Sequence, residues 1–353
     1  MSTTVITGSL GLVGSESVRF LSEKNMQVIG VDNDMRREFF GQAASTTWNL
    51  QILKEEYTNY THWTADIRSE ADMEKLFSKY SQDITLVVHA AAQPSHDWAY
   101  QNPAMDFTIN AFGTLNLLEM TRKYCPKAVF IYLSTNKVYG DRSNFFPIVE
   151  KNTRWELEDT HPFFKHGIDE SISIDDTTHS LFGVSKTAAD LLVQEYGRNF
   201  GINTACFRGG CFTGSMHSGT ELHGFLSYLM ICAMKKKTYH IFGYKGKQVR
   251  DLLHSRDLAE ALYAFYLNPG MGKVYNIGGG RFSNCSILEA ISLCEEVTGN
   301  KITWKYEEKN RTGDHIWWVS DCRRFKGDHP KWTPKIDTHK ILNEIHQGLR
   351  KRL

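Results

Sequence analysis

Apolar residues along this chain are grouped into short continuous runs, and stretches with helical periodicity separate the runs. The runs lie at residues 4–7, 26–32, 86–91 and 129–134, and residues 14–23 and 105–123 show the helical periodicity. Continuous apolar runs are typical of parallel strands that are buried on both faces of a sheet. Because strands and helices alternate, the pattern predicts right-handed βαβ crossovers and an α/β fold with a doubly wound parallel sheet.

Two longer stretches interrupt this alternation. Residues 41–62 are polar and aromatic with weak periodicity, and residues 142–178 mix proline, acidic and aromatic side chains. We interpret both as insertions, and a long loop after a strand end is often functional. The pattern becomes mixed after about residue 205. The sequence therefore predicts a sheet domain over residues 1–205 and a smaller mixed α/β lobe over residues 206–353, which faces the substrate.

The composition is that of an ordinary globular protein, with 41% hydrophobic residues, 23% charged residues and a net charge of +1. This charge gives no bulk attraction to nucleic acid or to a membrane. No apolar run approaches the roughly 18 residues of a membrane helix, and the first residues enter a strand without the features of a signal peptide. The 7 cysteines are scattered and are expected to be free thiols. These features predict a cytoplasmic location.

A glycine-rich loop follows the first predicted strand. Gly8, Gly11 and Gly14 form a Gly-x-x-Gly-x-x-Gly pattern between that strand and a helix, where backbone N–H groups can cradle a pyrophosphate. Asp32 closes the second strand, where a carboxylate can bond both ribose hydroxyls and repels a 2′-phosphate. The pattern predicts a Rossmann domain that binds NAD. Arg36 and Arg37 follow closely, which keeps NADP as the alternative.

A metal site has little support in the sequence. The histidine pairs His161 with His166 and His217 with His223 lack the spacing of helical metal ligands, and no ligand cluster is nearby. We therefore predict no metal.

Several segments of the chain match the motifs of one superfamily. They are the glycine pattern, the strand end His89-Ala90-Ala91-Ala92, Asn110-Ala111-Phe112-Gly113-Thr114, Ser134-Thr135-Asn136-Lys137-Val138-Tyr139-Gly140, the Tyr-x-x-x-Lys spacing at 182–186, Phe207-Arg208-Gly209-Gly210, Gly246-Lys247-Gln248-Val249-Arg250-Asp251 and Asn276-Ile277-Gly278-Gly279. The chain thus resembles the extended short-chain dehydrogenase/reductase superfamily of NAD-dependent sugar-nucleotide epimerases and dehydratases. Within it, the Ser134 and Gly246 segments are similar to those of the CDP-tyvelose (CDP-paratose) 2-epimerases.

The resemblance implies roles for individual residues. Lys186 would bind the nicotinamide ribose and lower a neighbouring pKa, Ser134 and Thr135 would hydrogen-bond the reacting sugar hydroxyl, and Arg250 and Arg311 would grip the substrate diphosphate. The full set of implied cofactor residues is Gly8, Gly11, Leu12, Val13, Gly14, Asp32, Asn33, Asp66, Ile67, Ala90, Ala91, Asn110, Lys186 and Arg208. The implied substrate residues are Asn136, Gly209, Cys211, Gln248, Arg250 and Arg311.

Phe182 stands where the superfamily has its catalytic tyrosine. A general base needs a titratable group within reach of the sugar proton, and phenylalanine has none. Lys137 and His96 are the predicted candidates for a substitute base, and His179 or a water relay through Thr135 are further ones. The phenylalanine is also consistent with a deliberate substitution that traps substrate, or with a protein that binds without turnover.

The function implied by these features is NAD-dependent epimerisation of a nucleotide-diphosphate sugar, at C2, through a transient ketone. Epimerisation at C4, 4,6-dehydration and decarboxylation are alternatives, although Asn136 and Lys137 occupy positions where dehydratases have an Asp-Glu pair. A catalytically silent NAD or nucleotide-sugar sensor is the alternative of another class. By analogy with the superfamily, we also expect a homo-oligomer, either a dimer or a tetramer.

Overall fold

The computed structural model describes residues 2–221 and 223–352. The strands are β1 Thr3–Thr7, β2 Gln27–Val31, β3 Tyr60–Trp63, β4 Ile84–His89, β5 Val129–Thr135, β6 Ile148–Glu150, β7 Trp155–Leu157, β8 Thr204–Gly209, β9 Cys211–Thr213, β10 Tyr239–Phe242, β11 Val249–His254, β12 Lys273–Ile277, β13 Asn284–Ser286, β14 Trp304–Glu307 and β15 Trp317–Trp318. The helices are α1 Leu12–Glu23, α2 Met35–Phe40, α3 Thr47–Glu56, α4 Glu70–Tyr80, α5 His96–Gln101, α6 Pro103–Phe107, α7 Gly113–Tyr124, α8 Ser180–Phe200, α9 Phe225–Lys235, α10 Ser255–Leu267, α11 Ile287–Thr298, α12 Arg323–Asp328 and α13 Thr338–Arg352.

The central sheet has 7 strands in the order β12-β8-β5-β4-β1-β2-β3. All neighbouring strands in it run parallel. Strands β1, β2 and β3 follow one another toward one edge of the sheet, and β4, β5, β8 and β12 follow one another toward the other edge. The direction of winding therefore switches between β1 and β4. The predicted doubly wound sheet is therefore confirmed, and the switch point is where such folds bind their ligands.

Alternate residues of each strand face two separate apolar layers. Ile6 of β1 and Val88 of β4 pack with the side chains of α1, α3 and α10 on one face. Val5 and Val87 pack with α4, α7 and α8 on the other face. Burial on both faces explains why these strands are continuous apolar runs in the sequence.

Two predicted boundaries differ from the structure. The boundary at residue 205 falls inside β8, and β12 also belongs to the central sheet, so one part of the second lobe lies between β8 and β12 and the other part follows β12. The stretch 41–62 contains α3 and the start of the edge strand β3, so most of it belongs to a crossover of the sheet. Its periodicity is weak because α3 buries only Asn49 and Leu53.

The second lobe surrounds β11, which pairs with β9, β13 and β15, and β10 pairs with β14. Side chains of α9, α11 and α13 form its apolar core. The stretch 142–178 carries the β6–β7 hairpin and lies against this lobe, where Trp155 Nε1 donates a hydrogen bond of 3.0 Å to the Tyr244 carbonyl. Within the described part of the chain, no helix has the length and apolarity needed to cross a membrane.

Candidate active site

A cavity of about 510 Å³ opens above the carboxyl ends of the parallel strands. Its wall includes residues that directly follow β1, β2, β4, β5 and β8, and side chains of the second lobe close it from the other side. The cavity therefore lies at the topological switch point and between the two lobes, a position typical of ligand sites in open α/β sheets.

The glycine loop has the shape that a pyrophosphate requires. Gly8 has a φ of +66°, and a Cβ atom there would lie 2.7 Å from the Ala91 nitrogen. A Cβ at Gly14 would lie 2.0 Å from the Gly8 oxygen, so α1 packs directly on the loop. The first turn of α1 has no acidic residue, and its first N–H groups have no partner within the helix. These groups fit a dinucleotide phosphate at the start of α1.

Asp32 lines the cavity at the end of β2. Its Oδ2 accepts a hydrogen bond of 3.0 Å from the Leu10 nitrogen and its Oδ1 accepts one of 2.8 Å from the Asp34 nitrogen. Burial raises the pKa of Asp32, while these backbone hydrogen bonds oppose the increase. The bonds fix the carboxylate at the mouth of the glycine loop, where it can meet a ribose.

The two arginines that could have favoured a 2′-phosphate are placed differently. Arg36 lines the cavity, but its Nη2 donates to the Ser218 carbonyl at 2.8 Å and its Nη1 lies 3.2 Å from His223 Nδ1. Arg37 is 61% exposed and lies 4.0 Å from Asp34. The Arg36 guanidinium is therefore already bound by protein groups, and Arg37 is not part of the cavity wall.

Four of the residues implied as cofactor ligands do not line the cavity, namely Asn33, Asp66, Asn110 and Arg208. Asn33 and Asp66 lie near its edge. Asp66 accepts hydrogen bonds from the Arg68 guanidinium, the shortest at 2.7 Å, and Asn33 Nδ2 lies 3.4 Å from Asp66 Oδ2. Ile67, the next residue, does line the cavity. At this position the apolar side chain of Ile67 faces the cavity, and the carboxylate of Asp66 does not.

Asn110 and Arg208 are the other two, and both are buried by protein partners. Asn110 Oδ1 accepts from the Gln93 nitrogen at 2.9 Å, and its Nδ2 donates to Ser185 Oγ at 3.0 Å. Arg208 forms a bidentate pair with Asp190, at 2.7 and 3.1 Å. Their polar atoms hold α8 against the sheet and are not directed into the cavity.

Helix α8 carries three functional side chains at intervals of one turn, which places them on one face. Phe182 and Lys186 line the cavity, and Asp190 lies behind them. Lys186 Nζ donates a hydrogen bond of 2.8 Å to the Leu133 carbonyl and lies 4.2 Å from the centre of the Tyr132 ring. Burial lowers the pKa of Lys186 to about 7. Phe182, Lys186 and Asp190 have i, i+4, i+8 spacing in the sequence, and this spacing would have indicated that Asp190 shares the helix face of the other two.

Ser134 and Thr135 both line the cavity at the end of β5, but their hydroxyls have different partners. The Ser134 hydroxyl donates to Asp190 Oδ2. Thr135 Oγ1 accepts a hydrogen bond of 3.2 Å from the Lys137 nitrogen and lies 3.3 Å from Asn136 Oδ1. Asp190 therefore accepts the proton of Ser134, and Asn136 Oδ1 accepts the proton of Thr135, so both hydroxyl protons are used within the protein.

Phe182 is 7% exposed and contributes an apolar surface to the cavity. Its ring packs edge-on against His96, with the ring centres 4.8 Å apart. His96 Nδ1 is 2.8 Å from Ser180 Oγ. Burial, together with the charge of Lys137, lowers the pKa of His96 to about 3. Such a histidine is neutral at physiological pH and a weak proton acceptor.

Lys137 lies at the mouth of the sheet and lines the cavity. Burial lowers its pKa to about 7, and the charge of Arg250 adds to this effect. Its Nζ lies 3.2 Å from His315 Nδ1. A lysine with this pKa is partly neutral at pH 7 and can accept a proton.

The remaining histidine candidate, His179, and the buried His254 of the second lobe lie outside the cavity wall. His179 Nε2 is 2.8 Å from the Ile174 carbonyl and the ring is not part of the cavity wall. His254 is buried in the second lobe, where its Nδ1 accepts from the Arg256 nitrogen at 3.0 Å and its Nε2 lies 2.9 Å from Glu344. Within the residues that the structure describes, no three His, Cys, Asp or Glu side chains are grouped to hold a metal ion.

All the implied substrate residues line the cavity. They are Asn136, Gly209, Cys211, Gln248, Arg250 and Arg311. Arg250 pairs with Asp314 and donates a hydrogen bond of 2.7 Å to the Val249 carbonyl, and the Arg311 guanidinium lies 4.4 Å from the centre of the Phe242 ring. Gln248 Nε2 donates a hydrogen bond of 3.1 Å to the Phe242 carbonyl, and its buried Oε1 has no partner within the described protein. The sequence analysis missed Asp314 and His315, which have no local motif of their own.

Comparison with known proteins agrees with this geometry. The model of the NAD dependent epimerase/dehydratase family matches residues 4–278. The chain belongs to this family. A CDP-paratose 2-epimerase from Salmonella typhi is 35% identical over 299 residues, which cover 83% of each chain. A dTDP-glucose 4,6-dehydratase from Salmonella typhimurium is 30% identical and covers 81% of this chain and 77% of its own length.

The fold is also that of solved structures of epimerases. A UDP-glucose 4-epimerase from Thermotoga maritima, solved with UDP-glucose, is 25% identical, with a TM-score of 0.77 over 99% of both chains. A UDP-glucose 4-epimerase from Bifidobacterium longum, in complex with NAD+ and UDP, has a TM-score of 0.80 at 21% identity and covers 99% of this chain and 98% of its own. The predicted superfamily is confirmed. As a member of the NAD dependent epimerase/dehydratase family, the chain is an enzyme whose cofactor is NAD.

Proposed function

We propose that this enzyme epimerises a nucleotide-diphosphate sugar at C2, with Lys137 as the proton acceptor that replaces the missing tyrosine. The similarity to the CDP-paratose 2-epimerase supports a CDP-sugar substrate. The observation that carries the proposal is the place of Lys137 in the cavity wall next to Thr135, where burial lowers the pKa of its side chain to about 7. Phe182 and the neutral His96 leave no better acceptor among the candidates at this position.

The chain's own residues can be assigned to the parts of the reaction. Gly8, Gly11 and Gly14 would hold the NAD pyrophosphate, and Asp32 and Lys186 would bind its two riboses. When bound, NAD supplies a reversible hydride acceptor. Lys137 takes the proton of the sugar hydroxyl and returns it after the ring carbon has been presented from its other face.

The opposite end of the cavity suits the nucleotide. Arg250 and Arg311 supply guanidinium groups for a diphosphate, for which their bidentate geometry is well suited. Gln248 Oε1 is a buried acceptor without a partner in the described protein, and leaving such a group unsatisfied costs about 1–3 kcal/mol. We propose that a donor of the substrate, such as the exocyclic amine of cytosine, satisfies it.

A 4,6-dehydratase would need a carboxylic acid next to Thr135. Asn136 and Lys137 follow Thr135, and neither is an acid. The nearby carboxylate Asp314 is buried, which opposes its ionisation, but the charges of Arg250 and Lys137 lower its pKa below the ordinary value. Asp314 is therefore held ionised and cannot donate a proton at neutral pH, which favours epimerisation over dehydration.

The test is an assay with a defined substrate. We expect purified enzyme to convert CDP-paratose to its C2 epimer, and deuterium at C2 to be retained in the product because the hydride returns to the same carbon. Lys137→Met is expected to retain NAD and lose turnover. Inversion at C4 or loss of water would contradict the C2 assignment. Bound NAD without any turnover would favour a sensor, because Phe182 removes the usual base.

A further inference from the structure

His315 is fully buried directly behind Lys137 and does not line the cavity. Its Nε2 lies 2.8 Å from the Gly140 carbonyl, which can only accept a hydrogen bond, so Nε2 carries the proton. In the neutral ring, Nδ1 is then an acceptor, and it faces Lys137 Nζ at 3.2 Å. Burial, reinforced by the charges of Lys137 and Arg250, holds the pKa of His315 well below its ordinary value, so the ring stays neutral.

The protein fixes this ring from several sides. It is stacked on Trp318, with ring centres 5.0 Å apart and an angle of 24° between the planes. Trp318 is itself held by a hydrogen bond of 3.1 Å from its Nε1 to Ser320 Oγ. Asn144 clamps the backbone on both sides of His315, because its Nδ2 donates to the Asp314 carbonyl at 2.9 Å and its Oδ1 accepts from the Ile316 nitrogen at 2.7 Å.

We propose that His315 is a positioning residue that accepts an N–H of Lys137 and so turns the lone pair of the neutral amine toward the cavity. A neutral lysine has two N–H bonds and one lone pair, and an acceptor-only neighbour fixes one of the N–H bonds. During the reaction, the O–H bond of the sugar breaks and a new N–H bond forms on Nζ, and the same proton returns later. This inference rests on the proposed function, in which Lys137 is the proton acceptor.

A neutral histidine suits this position better than a carboxylate would. A carboxylate beside Lys137 would stabilise the ammonium form and raise its pKa, which would remove the base at neutral pH. The other groups that face Lys137 are Arg250, which lowers its pKa, Asp314 and Cys211, which raise it, and His96, which is neutral. His315 can therefore orient the amine without adding a negative charge.

The test compares two substitutions in the full-length enzyme. His315→Phe keeps an aromatic ring for Trp318 and removes both nitrogens, whereas His315→Gln keeps one donor and one acceptor. For H315F, we expect kcat to fall at least about tenfold, as part of the 10²–10⁴-fold effect of a positioned proton acceptor. KM and NAD content should stay within about twofold. The inflection of the pH–kcat profile should move to lower pH, because the ammonium form loses an acceptor. H315Q should recover most of the lost kcat and return the inflection of the pH–kcat profile toward its wild-type position.

A second measurement does not depend on turnover. In enzyme with isotopically labelled lysine, the Lys137 side-chain resonance, assigned by its loss in K137M, should titrate near pH 7 and shift to lower pH in H315F. If H315F does not fold, H315M provides the same loss of nitrogens. An inactive K137M together with an unchanged profile and unchanged resonance in H315F would overturn the inference. An active K137M, or a wild-type enzyme without C2 epimerase activity, would overturn the proposed function, while the Lys137 resonance would still test the contact.

Discussion

Phe182 has no group that can accept a proton. Its ring contributes an apolar surface that packs against His96, and the proton acceptor that we propose, Lys137, directly follows the strand end. If Lys137 is the acceptor, we predict that Phe182→Tyr changes kcat by less than about tenfold, measured with saturating substrate. A gain of about 10²–10⁴-fold, the usual contribution of a positioned proton acceptor, would instead show that the phenol is the missing base.

The pH dependence of turnover follows from Lys137. The amine must be neutral to accept a proton, and its pKa is lowered to about 7 by burial. We therefore predict that kcat rises with pH through about 7 and reaches a plateau above it. Lys137→Arg keeps the positive charge at any accessible pH and should abolish this rise together with turnover. A profile that is flat between pH 6 and 8 in the wild-type enzyme would contradict the assignment.

At the scale of elements, the residues after β2 form a clasp with the loop that follows β9. We use the name clasp for Arg36, Ser45 and Trp48 together with Ser218. Arg36 Nη2 donates to the Ser218 carbonyl at 2.8 Å, Trp48 Nε1 donates to Ser218 Oγ at 3.1 Å and Ser218 Oγ lies 3.3 Å from the Ser45 carbonyl. These contacts join the two lobes at the Asp32 end of the cavity. The proposed epimerisation requires a retained cofactor, and we propose that the clasp slows its release.

We predict that Trp48→Phe releases NAD about 2- to 12-fold faster, since one hydrogen bond contributes about 0.5–1.5 kcal/mol. Trp48 does not line the cavity, so the change acts through the clasp and not through direct contact. The measurement is the rate at which added labelled NAD exchanges with the bound cofactor. Trp304→Phe, in the exposed strand β14, is the matched control and should leave the rate unchanged. Equal rates in both variants would show that the clasp does not limit release.

The sequence predicted those parts of the site that depend on local spacing. The glycine loop, Asp32 and the Phe182–Lys186 interval could be placed because each follows from one strand end or one helical turn. Arg208 was implied as a cofactor ligand by the family resemblance alone, whereas the fold pairs it with Asp190 from another element. His315 contacts Lys137 from 178 residues away, and only the tertiary structure brings such groups together.

At the scale of the whole molecule, exposed apolar side chains are grouped on two adjacent helical segments of the sheet domain. Helix α8 packs alongside the helical run from Pro103 to Tyr124. Exposed apolar side chains lie on both, namely Phe107, Phe112, Val184 and Leu191. Large apolar side chains that are grouped on a surface commonly mark an interaction site. We propose that two copies of this chain pack these helices together.

This assembly can be tested with one charged substitution. Leu191 is 41% exposed, and its side chain lies on the same helix as Phe182 and Lys186 but on the outer face. We predict that the wild-type protein has at least twice the mass of its 40.4 kDa chain in light scattering, and that Leu191→Glu yields monomers because the interface would bury an unpaired carboxylate. Leu267→Glu, at an exposed apolar position at the end of α10, is the control and should remain assembled. A monomeric wild-type protein would refute the proposed assembly. An unchanged mass in L191E would show that the interface lies elsewhere.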